Sequence, residues 1–149
     1  MSVVSLILAL AGPMTPASHP PKPAPILQSA NRDVPVGDPQ RRVLLDTIRP
    51  TLQRDVGQPV QFVVDTLRIR GDWAFYAGRI QQPNGRPIDF SRTRYAELIA
   101  QDVFDGPTTY AVLRRTGGTW RLVDFVVGPT DVAYLNWPDD HGAPLALFQ

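Results

Sequence analysis

Along the chain, hydrophobic residues switch from helical to strand spacing. Leu44, Leu45, Ile48, Leu52 and Val56 fall on one helical face. Asp38 suits the N-cap, Pro39 the first helical position and Gly57 the stop, so an amphipathic helix is predicted between them. Pro50 lies inside this pattern and predicts a kink or an early stop near Arg49. Val60 to Ile69 and Trp73 to Ile80 are then rich in β-branched and aromatic residues around Gly71-Asp72, a hairpin turn. Tyr110 to Arg115 and Trp120 to Val127 repeat the arrangement around Gly117-Gly118. Two hairpins give four antiparallel strands. Between them Pro83-Asn84-Gly85 reads as a turn, and Tyr95, Leu98, Ile99 and Val103 predict a short second helix ending near Gly106-Pro107.

The last stretch, Gly128 to Gln149, carries Val132, Tyr134, Leu135, Trp137, Leu145, Leu147 and Phe148 and is too apolar to stand free in water. If the helix covers one sheet face through Val123, Phe125 and Val127, then Leu113, Leu122 and Val126 face the other way and need a cover. Tyr134, Leu135 and Trp137 are the nearest candidates. The expected architecture is α+β: an N-terminal helix packed on a four-stranded antiparallel meander, with a short second helix and a docked C-terminal tail.

A helix followed by a meander resembles the cystatin-like and NTF2-like folds, in which a curved sheet wraps one helix. That likeness covers about Asp38 to Val127 and rests on element order. Separately, Trp120-Arg121-Leu122-Val123 leading into Gly128-Pro129-Thr130-Asp131-Val132-Ala133-Tyr134-Leu135-Asn136-Trp137 is similar to the tail of a family of bacterial exported proteins. Neither likeness implies an activity, because a fold does not fix a function.

The N-terminus bears on compartment. Val3 to Ala11 is an apolar run too short to span a bilayer, with no basic residue before Lys22; Gly12-Pro13 and the small residues Thr15 to Ser18 follow it. His19 to Pro25 cannot join a sheet and reads as a tether. These features predict a signal peptide over 1–18, a proline-rich linker over 19–37 and a single α+β domain over 38–149, exported to the periplasm or secreted.

Composition narrows the chemistry. Cysteine is absent, which removes disulfides, thiolate metal sites and thiol nucleophiles together. The formal net charge is +1, so any basic surface is local, and nucleic acid is not an expected partner. Beyond Ser29 the chain has Ser91 alone among serines, and beyond His19 it has His141 alone among histidines. A Ser-His-Asp triad would have to use both, without the glycines of a nucleophile elbow. Asp139-Asp140-His141-Gly142 reads as a turn rather than a metal site, and Gln101 to Gly106 lacks the ligand pattern of a calcium loop. No phosphate-binding glycine motif occurs. No cofactor, metal or catalytic residue is assigned.

Two readings remain for functional residues. Asp65 and Asp124 lie within otherwise apolar strands, and with His141 they would serve an NTF2-like enzyme if they lined a sheet pocket. The favoured reading is a non-catalytic binding or inhibitor-type domain, with a structural module of an envelope assembly as a third class. Its site follows from hairpin register. A two-residue turn at Gly71-Asp72 sets Arg70 opposite Trp73 and Arg68 opposite Phe75, with Arg79 on the same face. Around Gly117-Gly118, Arg115 falls opposite Trp120. These seven residues, Arg68, Arg70, Trp73, Phe75, Arg79, Arg115 and Trp120, alternate guanidinium and aromatic groups and suit an anionic envelope ligand or an acidic protein partner. The plainer reading is that the arginines shield the rings on a solvated face.

Overall fold

Asp38 opens the first helix by accepting the amide hydrogen of Gln40 at 2.8 Å, and Pro39 follows it. That hydrogen bond, with the Arg32 guanidinium beside it, holds the Asp38 carboxyl below its usual range. The computed structural model describes Gly12, Pro13 and residues 29–149; the predicted leader and most of the predicted linker lie outside the described residues. Helix α1 spans Pro39–Val56 and ends on Gly57 in the left-handed conformation. It runs through Pro50 without stopping. An interior proline costs about 3 kcal/mol, and the burial of Ile48 and Leu52 on either side outweighs it. No described helix is long and apolar enough to cross a membrane.

The sheet has five antiparallel strands rather than four, in the order β1-β2-β3-β4-β5. They are β1 (Arg32–Asp33), β2 (Gln61–Arg70), β3 (Trp73–Gln81), β4 (Thr108–Thr116) and β5 (Thr119–Val127). The extra strand comes from the stretch whose proline content suggested a linker. It pairs Arg32 with Ile69 and Asp33 with Arg68, and Val34 behind it is buried in the core. A two-residue strand leaves too little pattern to see. The folded unit therefore takes in residues ahead of Asp38, where the sequence placed its start.

Both hairpins have the predicted turns. Arg70 pairs with Trp73 across Gly71-Asp72, and Thr116 pairs with Thr119 across Gly117-Gly118. Two irregularities then decide which side chains share a face. In β2 the register slips between Val64 and Thr66, leaving Asp65 unpaired and exposed. Gly78 lies opposite this bulge, and a Cβ there would sit 2.2 Å from the Val63 carbonyl oxygen, so the close approach requires glycine. In β5 the slip lies between Leu122 and Asp124, so Val123 has no partner and is 37% exposed. This bulge corrects the expected faces. Leu113 and Leu122 pack under α1 with Phe125 and Val127, and Val126 alone of the three expected there lies on the opposite face.

Under α1 the core holds Leu44, Ile48, Leu52, Tyr76, Leu113 and Trp120. The Trp120 indole donates to Oε1 of Gln40 at 3.0 Å, tying β5 to the helix. The segment between β3 and β4 is pinned by Tyr95, whose hydroxyl bonds the Asp55 carboxylate while Arg94 reaches the same carboxylate at 2.7 Å. Helix α2 there is short, Ala96–Ala100, and the apolar residues that predicted it, Leu98, Ile99 and Val103, remain exposed.

The tail docks on the other face. A 3₁₀ turn at Ala133–Asn136, helix α3 at Trp137–His141 and a second 3₁₀ turn at Leu145–Phe148 wrap over β3 and β4. Phe75 is the centre of this second core. Its ring lies 5.0 Å from Phe148, 5.1 Å from Tyr134, 6.3 Å from Tyr110 and 6.5 Å from Trp137. Of the residues expected to provide the cover, Trp137 and Tyr134 do so, whereas Leu135 is 46% exposed. Leu147 and Phe148 take its place.

Two predictions follow from this packing. Leu147 is fully buried, so Leu147→Ala should lower the unfolding free energy by about 2–5 kcal/mol in a single urea transition seen alike by far-UV circular dichroism and tryptophan fluorescence. A loss below about 0.5 kcal/mol would mean that the tail is not part of the cooperative unit. The second concerns alkali. Burial, then the Asp65 charge, raises the Tyr76 phenol, while burial and the hydrogen bond to Asp55 raise Tyr95. Both pKa values are higher in the folded state, so their contribution is complete below the unfolded tyrosine value of about 10 and declines above it. Urea midpoints should fall as pH rises above about 10, and the fall should be shallower in Tyr95→Phe; equal slopes would contradict this origin.

Candidate functional site

Between the sheet and the docked tail lies an open cleft of about 450 Å³. Its apolar lining comes from Phe75, Tyr110, Tyr134 and Phe148, and its charged lining from Asp65, Arg68 and Arg79. Strand alternation brings these groups together. Phe75, Ala77 and Arg79 alternate along β3, Thr108 and Tyr110 stand opposite Arg79 and Ala77 on β4, and the β2 bulge turns Asp65 toward the same space. Burial, and then the neighbouring Tyr134, raises the Tyr110 hydroxyl above the ordinary tyrosine value, so it is a neutral donor at physiological pH.

The seven residues picked out by hairpin register divide into three groups. Arg68, Phe75 and Arg79 line the cleft. Arg70 and Trp73 share that face but sit at the hairpin tip, where the guanidinium above Trp73 is that of Arg114, at 5.1 Å. Arg115 and Trp120 pair as expected, 5.2 Å apart, but on the α1 face. Trp120 is buried there and Arg115 is held by Asp72 at 3.1 Å, so these two are not continuous with the rest. A single patch of seven does not form.

Within the cleft the two arginines do different work. Arg68 Nη1 donates to the carbonyl oxygens of Leu147, at 3.3 Å, and Gln149. Its Nε is buried, lacks a hydrogen-bond partner and lies 3.8 Å from Asp33 Oδ1. Arg70 supports the same segment indirectly: it donates to Asn31 Oδ1 at 3.3 Å, and the Asn31 amide donates to the Ala146 carbonyl at 2.6 Å. Both arginines therefore fasten the tail. Arg79 is exposed and, among the described residues, has no carboxylate within 4 Å. It is the cleft's available cation.

The sequence did not indicate that tail carbonyls would capture Arg68, or that Tyr110, Tyr134 and Phe148 would wall the site. Tyr134 and Phe148 had a signal, since an apolar tail must lie on something. Tyr110 follows from strand alternation once the β3 and β4 register is known.

Of the acid and base candidates, Asp124 and His141 meet and Asp65 stands apart. His141 Nε2 lies 2.7 Å from Asp124 Oδ2, and the other oxygen of Asp124 accepts the Phe125 amide at 2.7 Å. This pair joins α3 to β5. Asp65 is two strands away from β5's neighbour, on β2, so it does not approach the pair. Ser91 donates to Asp89 at 2.5 Å and not to His141, so the triad does not assemble. Among the described residues no group of three His, Cys, Asp or Glu is placed to hold a metal ion. Compared with protein-family models, curated proteins and solved structures, the chain matches none.

Because Arg68 is built into the tail contact and Arg79 is not, their variants should behave oppositely. Arg68→Gln should cost about 1–3 kcal/mol through the carbonyls it leaves unpaired. Arg79→Gln should stay within about 0.5 kcal/mol of the parent. Urea melts measure both, and equal losses would refute the division of roles.

Proposed function

We propose that this protein is a non-catalytic binding domain, exported to the periplasm or secreted, whose ligand site is the cleft between sheet and tail. The ligand is anionic and has an apolar part. The observation that carries this reading is Arg79: an exposed guanidinium, without a carboxylate within 4 Å among the described residues, at a cleft walled by Phe75, Tyr110, Tyr134 and Phe148. A guanidinium offers a paired donor edge to a carboxylate or phosphate, and aromatic walls give the rest of the ligand a dry surface. Export is supported by the apolar run from Val3 and the small residues after it.

A cystatin-like fold belongs to the same proposal. The helix lies between β1 and β2 in the chain, and five antiparallel strands follow one another in sequence order around it. An inhibitor-type or binding role accords with that arrangement only by analogy.

A second reading, an acid–base enzyme of NTF2-like type, is favoured by one contact, that between His141 and Asp124. Such a pair can orient an imidazole for proton transfer. It does not line the aromatic cleft, whose lining carboxylate is Asp65. That separation is why the binding reading is preferred.

Titration with 2-naphthoate and with neutral 2-naphthamide, followed by amide NMR shifts, tests the proposal. Naphthoate should saturate and move Ala77, Arg79, Thr108 and Tyr110, naphthamide should bind at least about tenfold more weakly, and Arg79→Gln should remove the difference. Equal binding of both probes, or shifts centred on His141, would overturn it.

A further inference from the structure

Arg79 lines a second cavity as well. On its other side lies a pocket of about 260 Å³ walled by Val63, Ile80, Pro87, Ile88, Phe90 and Pro107. Arg79 is the charged residue in that wall, with Gln81 its polar neighbour. The aromatic cleft and the apolar pocket therefore share Arg79 as a lining residue. They also meet at consecutive residues of the loop entering β4, because Pro107 lines the pocket and Thr108 the cleft. Thr108 pairs with Arg79 across β3 and β4, so its side chain projects on the same face, within about 4.5–5.5 Å at Cβ.

We infer that the ligand is a single-chain amphiphilic anion, a fatty-acid-type carboxylate whose head group sits on Arg79 beside Thr108 and whose chain fills the apolar pocket. The inference rests on the binding function proposed above and names its ligand class. The walls of Val63, Ile80, Pro87, Ile88, Phe90 and Pro107 give an alkyl chain apolar contact, whereas a sugar or a peptide would find Gln81 and Arg79 as its polar side-chain partners there. A cationic amphiphile would meet Arg79 with like charge, and a neutral chain would gain no charge-assisted hydrogen bond from the exposed guanidinium.

Isothermal titration of the full chain with decanoate below its micelle concentration, acetate and 2-naphthoate separates this inference from the reading it rests on. Decanoate should bind at least a hundredfold more tightly than acetate, since each buried methylene contributes about three- to fourfold. Pro87→Trp, which fills the pocket from an exposed loop, should weaken decanoate at least about tenfold and leave naphthoate unchanged. Gln81→Trp, at a half-buried position in the same pocket wall, replaces Pro87→Trp if that variant fails to fold. Arg79→Gln should weaken both anions. If naphthoate binds but decanoate is no tighter than acetate, or if the tryptophan variants weaken both anions alike, the chain pocket is not used and the amphiphile is excluded while the anion site stands. If neither anion binds, both readings fall.

Discussion

The packing of Phe75 against the C-terminal tail is the contact on which the rest of the molecule depends. A sheet covered by α1 on one face still has a second face, and β3 and β4 place Phe75, Tyr110 and Val112 on it. Left open, those side chains would form the kind of apolar patch that drives association. The tail supplies Trp137, Leu147 and Phe148 as the cover, and each large side chain so buried contributes about 1.5–3 kcal/mol. Apolar burial alone does not orient a segment with little regular structure. Orientation comes from Arg68 and Arg70, which grip the tail's carbonyl oxygens directly and through Asn31. The cleft is the gap this arrangement leaves beside Arg79, between the sheet and Tyr134 and Phe148 of the tail.

Much of the framework was legible in the sequence because local rules and tertiary packing agree there. The Asp38-Pro39 start, the Gly57 stop and the stripe from Leu44 to Val56 all describe the observed α1. Both glycine-centred hairpins have the expected register, down to Arg70 opposite Trp73 and Arg115 opposite Trp120. What was hidden has a common physical cause: side-chain direction in a strand depends on parity, and a one-residue bulge reverses it. The slip at Val123 moved Leu122 under the helix, and the one at Asp65 turned a carboxylate toward the cleft. Strand β1 was hidden for a different reason, since two paired residues beside prolines have no periodicity to read.

Register could tell which residues stand opposite one another, but not what the long side chains would do. The alternation of arginines and aromatics suggested one continuous surface. In the fold the arginines are distributed among separate tasks: Arg68 and Arg70 to the tail, Arg94 to Asp55, Arg115 to Asp72 and Arg114 over Trp73. Arg79 is left at the junction of two cavities. The same limit applies to Asp124 and His141, which are 17 positions apart in the chain and meet only because α3 packs back on β5.

The central claim is that the tail is an integral layer of the domain and forms one wall of its site. Native-state amide hydrogen exchange measures this most directly. The Leu147 amide, bonded to the Pro144 carbonyl at 2.9 Å, should be protected to a free energy approaching that of the Tyr76 amide in the central strand β3. Exchange of Leu147 and Phe148 at rates typical of an open chain, with Tyr76 still fully protected, would show that the tail opens independently, and would contradict both the three-layer packing and the cleft built on it.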